Sequence, residues 1–151
     1  MKATQLLILF VLLIFSISLA SATTIKDVSQ TKLFPGGQTS VKIEVKNTLN
    51  DNIEDVSLTL VLSGTQFISI GSSEDSTDEI KDDDEETFSY TIKASQDIKP
   101  GNYNIPYELT YTDTSDDEKV TKKGTIGIVV SANTEIDVNV KTNNNVVGET
   151  G

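Results

Sequence analysis

The chain has 151 residues, a net charge of −11, and no His, Cys or Trp. Lacking His and Cys, it cannot build a Ser-His-Asp or Cys-His nucleophile system or the usual zinc and copper ligand sets. An acidic chain without Arg is also poorly suited to nucleic acid or anionic lipid.

Residues 1–22, "MKATQLLILFVLLIFSISLASA", read as a secretory signal. Lys2 supplies the positive start, Leu6 to Phe15 the apolar run, and Ala20-Ser21-Ala22 the small-residue cleavage pattern. The run is shorter than the roughly 20 residues a spanning helix needs. Cleavage after Ala22 is therefore expected, and it removes one Lys and no acid. The mature chain is long enough for one domain, whose apolar core must hold without disulfides.

From residue 23 onward the apolar pattern has period two. "TIKDV" near 24–28 is a short strand, followed by a Pro35-Gly36 turn. "QTSVKIEVKN" sets Val41, Ile43 and Val45 on one face against Lys42, Glu44 and Lys46. "VSLTLVL" does the same with Val56, Leu58, Leu60 and Leu62, and "FISI" adds a short strand at 67–70.

The segment from Glu74 to Glu86 holds nine acids and one Lys. Clustered carboxylates suit a hard cation, and Asp82, Asp83, Asp84 and Glu85 are the candidate calcium ligands. The spacing lacks the EF-hand glycine, and the competing reading is a solvated loop between strands that keeps the protein soluble.

"TFSYTIKA" then turns Phe88, Tyr90 and Ile92 inward. "KPGNYNIPYELTY" follows a Pro100-Gly101 turn and aligns Tyr103, Ile105, Tyr107, Leu109 and Tyr111. Tyr103 sits where an immunoglobulin-type tyrosine corner would fall, or is simply the first core residue of its strand. Pro106 interrupts this strand, and its missing N–H calls for an unpaired side or a bulge. "GTIGIVV" supplies Ile126, Ile128 and Val130.

Half-buried strands separated by Asn, Asp, Gly and Ser clusters indicate an all-β fold, an immunoglobulin-like antiparallel β-sandwich of about seven strands over residues 23–132. Residues 133–151 form an extra strand, "EIDVNVK", ahead of "VVGETG". That ending echoes "FPGGQTS", with Gly148 set against Gly36, and the spacing of about 110 residues is one sandwich domain. The tail is thus read as the start of a truncated second repeat.

No enzymatic activity is expected. Carboxylates alone remain for acid–base work, and a glycosidase pair needs two of them across a cleft. Sugar binding lacks a Trp platform, and three of the four Tyr fall on one core-facing strand face. No Asn-x-Ser/Thr triplet occurs, so N-glycans are not expected on this segment.

"LFPGGQTSVKIEVKN", "IKDDDEETFSYTIKAS" and "DIKPGNYNIPYELTYTD" together resemble the Ig-like modules of archaeal S-layer-type surface proteins. They are similar also to the alpha-galactosidase-associated Ig-like domains of secreted glycosidases. The family pattern falls on Pro35-Gly36, Asn47, Pro100-Gly101, Tyr103, and Tyr111 with Asp113, across residues 24–132. "KDDDEET" departs from it, standing where the family more often has a Gly-containing turn. The resemblance implies a non-catalytic spacer or adhesion module at the cell surface, with no catalytic residue and no cofactor. Its partners would be other surface proteins or further copies of the module. An accessory carbohydrate- or protein-binding module of a secreted enzyme is the alternative, as is a calcium-binding surface domain. Pro35, Gly36, Pro100, Gly101 and Tyr103 are expected to serve folding, the glycines by accepting positive φ after Pro.

Overall fold

The computed structural model describes residues 23–30 and 32–132. The signal segment 1–22 and the extra strand at 133–151 lie outside the described residues. Eight strands run in order: β1 (Thr24–Gln30), β2 (Gln38–Lys46), β3 (Ile53–Leu60), β4 (Phe67–Ser69), β5 (Glu74–Ile80), β6 (Glu85–Ala94), β7 (Gly101–Asp113) and β8 (Glu118–Val130). They form two four-stranded sheets, β1-β2-β6-β4 and β5-β3-β7-β8, with every pairing between strands antiparallel. This is the immunoglobulin-like sandwich that the period-two patterning predicts.

The inward faces are those expected. Val41, Ile43 and Val45 of β2 are fully buried, as are Val56 and Leu58 of β3. Phe88, Tyr90 and Ile92 of β6 meet Ile105, Leu109 and Tyr111 of β7 and Ile126, Ile128 and Val130 of β8 in one core. Full burial of each large aliphatic side chain contributes about 1.5–3 kcal/mol, and with no Cys this core is the main source of stability.

The acidic run differs from its reading as a loop. Glu74–Ile80 is strand β5, paired along its length with β3. Only Ile80 is buried, so an apolar-pattern reading passes it over. It is an edge strand, where acid side chains can face water while the backbone completes the ladder. Of the remaining acids, Asp82 to Asp84 make the corner by which the chain crosses to the other sheet, where Glu85 and Glu86 open β6.

Pro106 is explained by where β3 stops. Its carbonyl accepts the Val61 N–H at 2.8 Å, one residue beyond the end of β3. An N–H at Pro106 would point to the same side, where the ladder has ended and Val61 is 39% exposed. No bulge is needed.

Of the two Pro-Gly pairs, the first is a true turn. Gly37 N–H donates to the Phe34 carbonyl at 2.9 Å, with Pro35 and Gly36 between them and Gly36 at φ 73°. Pro presets the first central residue and Gly accepts the left-handed second. The second pair differs from expectation: Gly101, at φ 158°, opens β7 directly. The turn lies earlier, where Ile98 N–H donates to the Ser95 carbonyl at 3.4 Å.

One buried polar residue joins these parts. Asn47, fully buried at the end of β2, donates its side-chain amide to the carbonyls of Asp51, Ile80 and Lys81 at 2.9, 3.1 and 3.2 Å. Its Oδ1 accepts the Leu49 N–H at 3.0 Å, and its own N–H donates to the Asp84 carbonyl at 3.0 Å. Replacing it strands the buried Ile80 carbonyl and the half-buried carbonyls of Asp51 and Lys81. Asn47→Ala is expected to lower the stability by about 2–4 kcal/mol, read as a fall in the urea midpoint. An unchanged midpoint would show that water replaces the amide.

Candidate functional site

The four candidate calcium ligands are close in sequence but are not gathered around a point. Asp83 Oδ1 lies 2.6 Å from Lys46 Nζ. Glu85 Oε2 lies 2.6 Å from Lys26 Nζ, which also holds Glu44 Oε1 at 2.9 Å. Asp82 contributes its backbone N–H to Asn52 Oδ1 at 3.1 Å, and Asp84 contributes backbone groups to Lys81 and Asn47. Among the described residues no three carboxylates are placed to share an ion. A strand and a turn send these side chains in different directions, and lysines engage two of them.

The same corner turns without a glycine. Asp84 N–H donates to the Lys81 carbonyl at 3.1 Å, closing a turn with Asp83 third at φ 60°. Asp tolerates the left-handed region better than most residues do. Its carboxylate then reaches Lys46.

Around the corner the charges move in compensating directions. The hydrogen bond from Lys46 holds Asp83 below the usual carboxylate range, and that from Lys26 does the same for Glu85. Lys26 is pushed up to about 12 by its hydrogen bonds to Glu85 and Glu44. Asp113, the last residue of β7, is lowered by the backbone N–H and hydroxyl of Ser115. Burial pushes the Tyr90 phenol up, with the Asp75 and Glu74 charges adding to it, and its hydroxyl donates to the Leu58 carbonyl at 2.6 Å.

Tyr103 closes a corner ahead of β7. Its hydroxyl donates to the Lys99 carbonyl at 2.7 Å, four residues upstream. Its ring meets Phe67 edge to face at 5.7 Å between centroids. Pro100 and Gly101 form the chain between the two ends of that bond. Tyr103 therefore combines both readings, a backbone clasp and a partly buried member of the core margin.

Beside Phe67 lies a shallow groove of about 490 Å³, lined by Gln66, Ile68, Lys93 and Gln96 among others. A second, of about 510 Å³, shares Phe67 and Ile68 and extends to Val61 and Ser73. Ile68 is 60% exposed and Ile70 46%, so this short edge carries two of the four exposed large hydrophobic side chains among the described residues. The alternating-pattern reading gave no sign of it, because Ile68 and Ile70 look like ordinary strand residues.

Sequence reading also missed the contrast between the strand edges. At β8 the Gln30 side chain clasps Val129 through both its N–H and its carbonyl, at 3.2 and 2.9 Å. Ser131 N–H donates to the Leu33 carbonyl at 2.7 Å. Below that clasp Lys122 Nζ donates to the Thr23 carbonyl at 3.3 Å, and the outward backbone groups of β8 have no hydrogen-bond partner among the described residues. On the other flank, Asp75 Oδ2 accepts the Ser89 N–H of β6 at 2.9 Å, filling a rung that β4 is too short to cover.

No family model matches the chain, and no curated protein matches it in sequence. Its fold is similar to that of the ASH/PapD-like domain of human CEP192, at 10% identity and a TM-score of 0.46, covering 74% of this chain and 84% of that one. It is similar also to the GAE domain of GGA2p from Saccharomyces cerevisiae, at 11% identity and a TM-score of 0.45, over 71% and 97% of the two chains. A β-glucuronidase of Bacteroides uniformis matches at 13% identity and a TM-score of 0.37, over 68% of this chain but 12% of that one.

Two expectations follow from the corner. Asp83→Gly removes a left-handed side chain and an exposed ion pair of little worth, so the melting temperature should hold or rise. Asp83→Val should lower it by about 4–8 °C; the reverse order would contradict a left-handed turn. The second concerns pH. A carboxyl depressed on folding stabilises above its unfolded pKa, near 4, and that contribution is lost as pH falls through the folded value. Stability should thus fall below about pH 4, and the Lys26→Met/Lys46→Met double variant should fall less steeply. Identical pH profiles would show that the lysine pairs contribute nothing.

Proposed function

We propose that this chain is an exported, non-catalytic Ig-like module that serves as a spacer or adhesion element at the cell surface. The observation that carries this reading is how the acidic side chains are used. Asp83 and Glu85 are held by lysines across the outer face of one sheet, and Asp75 caps a backbone amide. Their carboxyls are lowered or committed to the scaffold, the opposite of what a general acid requires. The protein's chemistry goes into holding a sandwich in shape.

The N-terminal segment supports export, and the absence of Cys fits a fold whose apolar core needs no oxidising compartment. The resemblance to S-layer-type modules fits the same role, with other surface proteins or further copies as partners. The groove beside Phe67 and Ile68 favours a second reading, an accessory module that grips a sugar or a peptide for an attached enzyme.

Expression of the full chain in an export-competent host tests the first reading. The product should appear outside the cytoplasm with Thr23 as its first residue, by intact mass and N-terminal sequencing. Retention inside the cell with residues 1–22 intact would overturn it.

A further inference from the structure

The two outer strands of one sheet, β5 and β8, have opposite charge and matching spacing. In β8 the backbone groups of Val129 and Ser131 face away from β7, toward Gln30 and Leu33. Strand alternation therefore turns the N–H and C=O of Lys119, Thr121, Lys123, Thr125 and Gly127 to the same outer side. None of these backbone groups has an outward partner among the described residues. Their side chains stand exposed on the outer face.

In β5 the Ser73 carbonyl accepts from Leu60 of β3. Alternation then turns the backbone groups of Glu74, Ser76 and Asp78 outward, and these side chains too are exposed. Both edges thus carry charges four residues apart on one face, acids at 74 and 78 and lysines at 119 and 123. All neighbours within the sheet are antiparallel, so β8 runs opposite to β5. A second copy set alongside in the same orientation brings its β5 antiparallel to β8.

We propose that β8 of one copy pairs with β5 of a second copy, with Glu74 opposite Lys123, Ser76 opposite Thr121 and Asp78 opposite Lys119. A single register aligns both ion pairs and continues the ladder. The contact is head to tail and does not close on itself, so it extends one sheet from copy to copy. The local bonds it replaces are exposed. They are the Ser72 hydroxyl on both backbone groups of Glu74, Asp75 Oδ1 on Ser76 N–H, Ser57 on the Glu74 carboxylate, and Glu108 beside Lys123 at 3.0 Å. Edge lysines repel basic strands and must be desolvated to pair with neutral ones; against an acidic edge they attract. The proposal rests on the surface-module reading only in that copies must meet, and it is tested on purified full chain whether or not that chain is exported.

Sedimentation velocity up to about millimolar protein, the range of a weak edge contact, should show reversible association. Lys119→Glu/Lys123→Glu and Glu74→Lys/Asp78→Lys should each weaken it about tenfold or more. Mixing the two variants should restore it, because the acidic β8 of one then faces the basic β5 of the other. Amide exchange at Thr121 and Lys123 should slow as concentration rises. Thermal melts check folding, and Lys119→Thr/Lys123→Thr, with strand-forming residues at both sites, serves if a charge reversal unfolds. A chain that stays monomeric throughout overturns the proposal. So does association that survives both reversals, which would place the contact elsewhere, such as the Ile68 edge. Slow exchange at β8 in the monomer would mean that the chain covers its own edge, and would overturn it too.

Discussion

The buried amide of Asn47 is the constraint on which the sandwich most depends. Two sheets packed through an apolar core can slide, because burial has no direction. Hydrogen bonds to backbone carbonyls do have direction. Asn47 fixes the end of β2 against the loop at 48–52 and the corner at 80–84, the place where the chain leaves one sheet for the other. The bond to the Ile80 carbonyl is buried and is the most expensive of these to leave unmade. The Tyr90 hydroxyl on the Leu58 carbonyl adds a second directional tie between the sheets.

Around that core the chain treats its edges unequally. The β4 edge is only three residues long. The β1 edge carries a register shift at Lys26, whose ammonium is drawn to Glu44 and Glu85. The β5 edge is dressed with its own serines and acids, and Gln30 seals the upper part of β8. Short strands, bulges and capping side chains are the usual ways of keeping sheets from joining. The lower half of β8 has only its lysines, and lysines discriminate by charge.

Much of this was legible in the sequence, for identifiable reasons. Strands with one buried face announce themselves by alternation, so β2, β3, β6, β7 and β8 fall where Val41, Leu58, Phe88, Ile105 and Ile128 place them. Strand β5 did not, since an edge strand needs backbone partners more than apolar side chains, and "EDSTDEI" reads as a solvated run. The turn at Pro35-Gly36 was legible because Pro and Gly each fix a torsion. The one at Asp82-Asp83 was not, because Asp enters the left-handed region without announcing it. Ion pairs such as Lys26 with Glu85 join residues far apart in sequence, which no local pattern records. The open rungs of β8 depend on which side of the strand faces β7, and that is a property of the pairing alone.

Net charge and local charge act at different ranges here. A charge of −11 on each copy repels at separations beyond contact, but salt screens it within about 8–10 Å. Ion pairs across a shared ladder sit well inside that distance. Copies are therefore held apart in dilute solution and attract only where Glu74 and Asp78 meet Lys123 and Lys119 in register. Shifting the pairing by two residues forfeits both ion pairs, and shifting it by four forfeits one of them, while the repulsion stays. Other exposed lysines, such as Lys42, Lys81 and Lys99, lie elsewhere on the surface; it is the spacing of Lys119 and Lys123 along one edge, matched to Glu74 and Asp78, that turns a general repulsion into a local attraction.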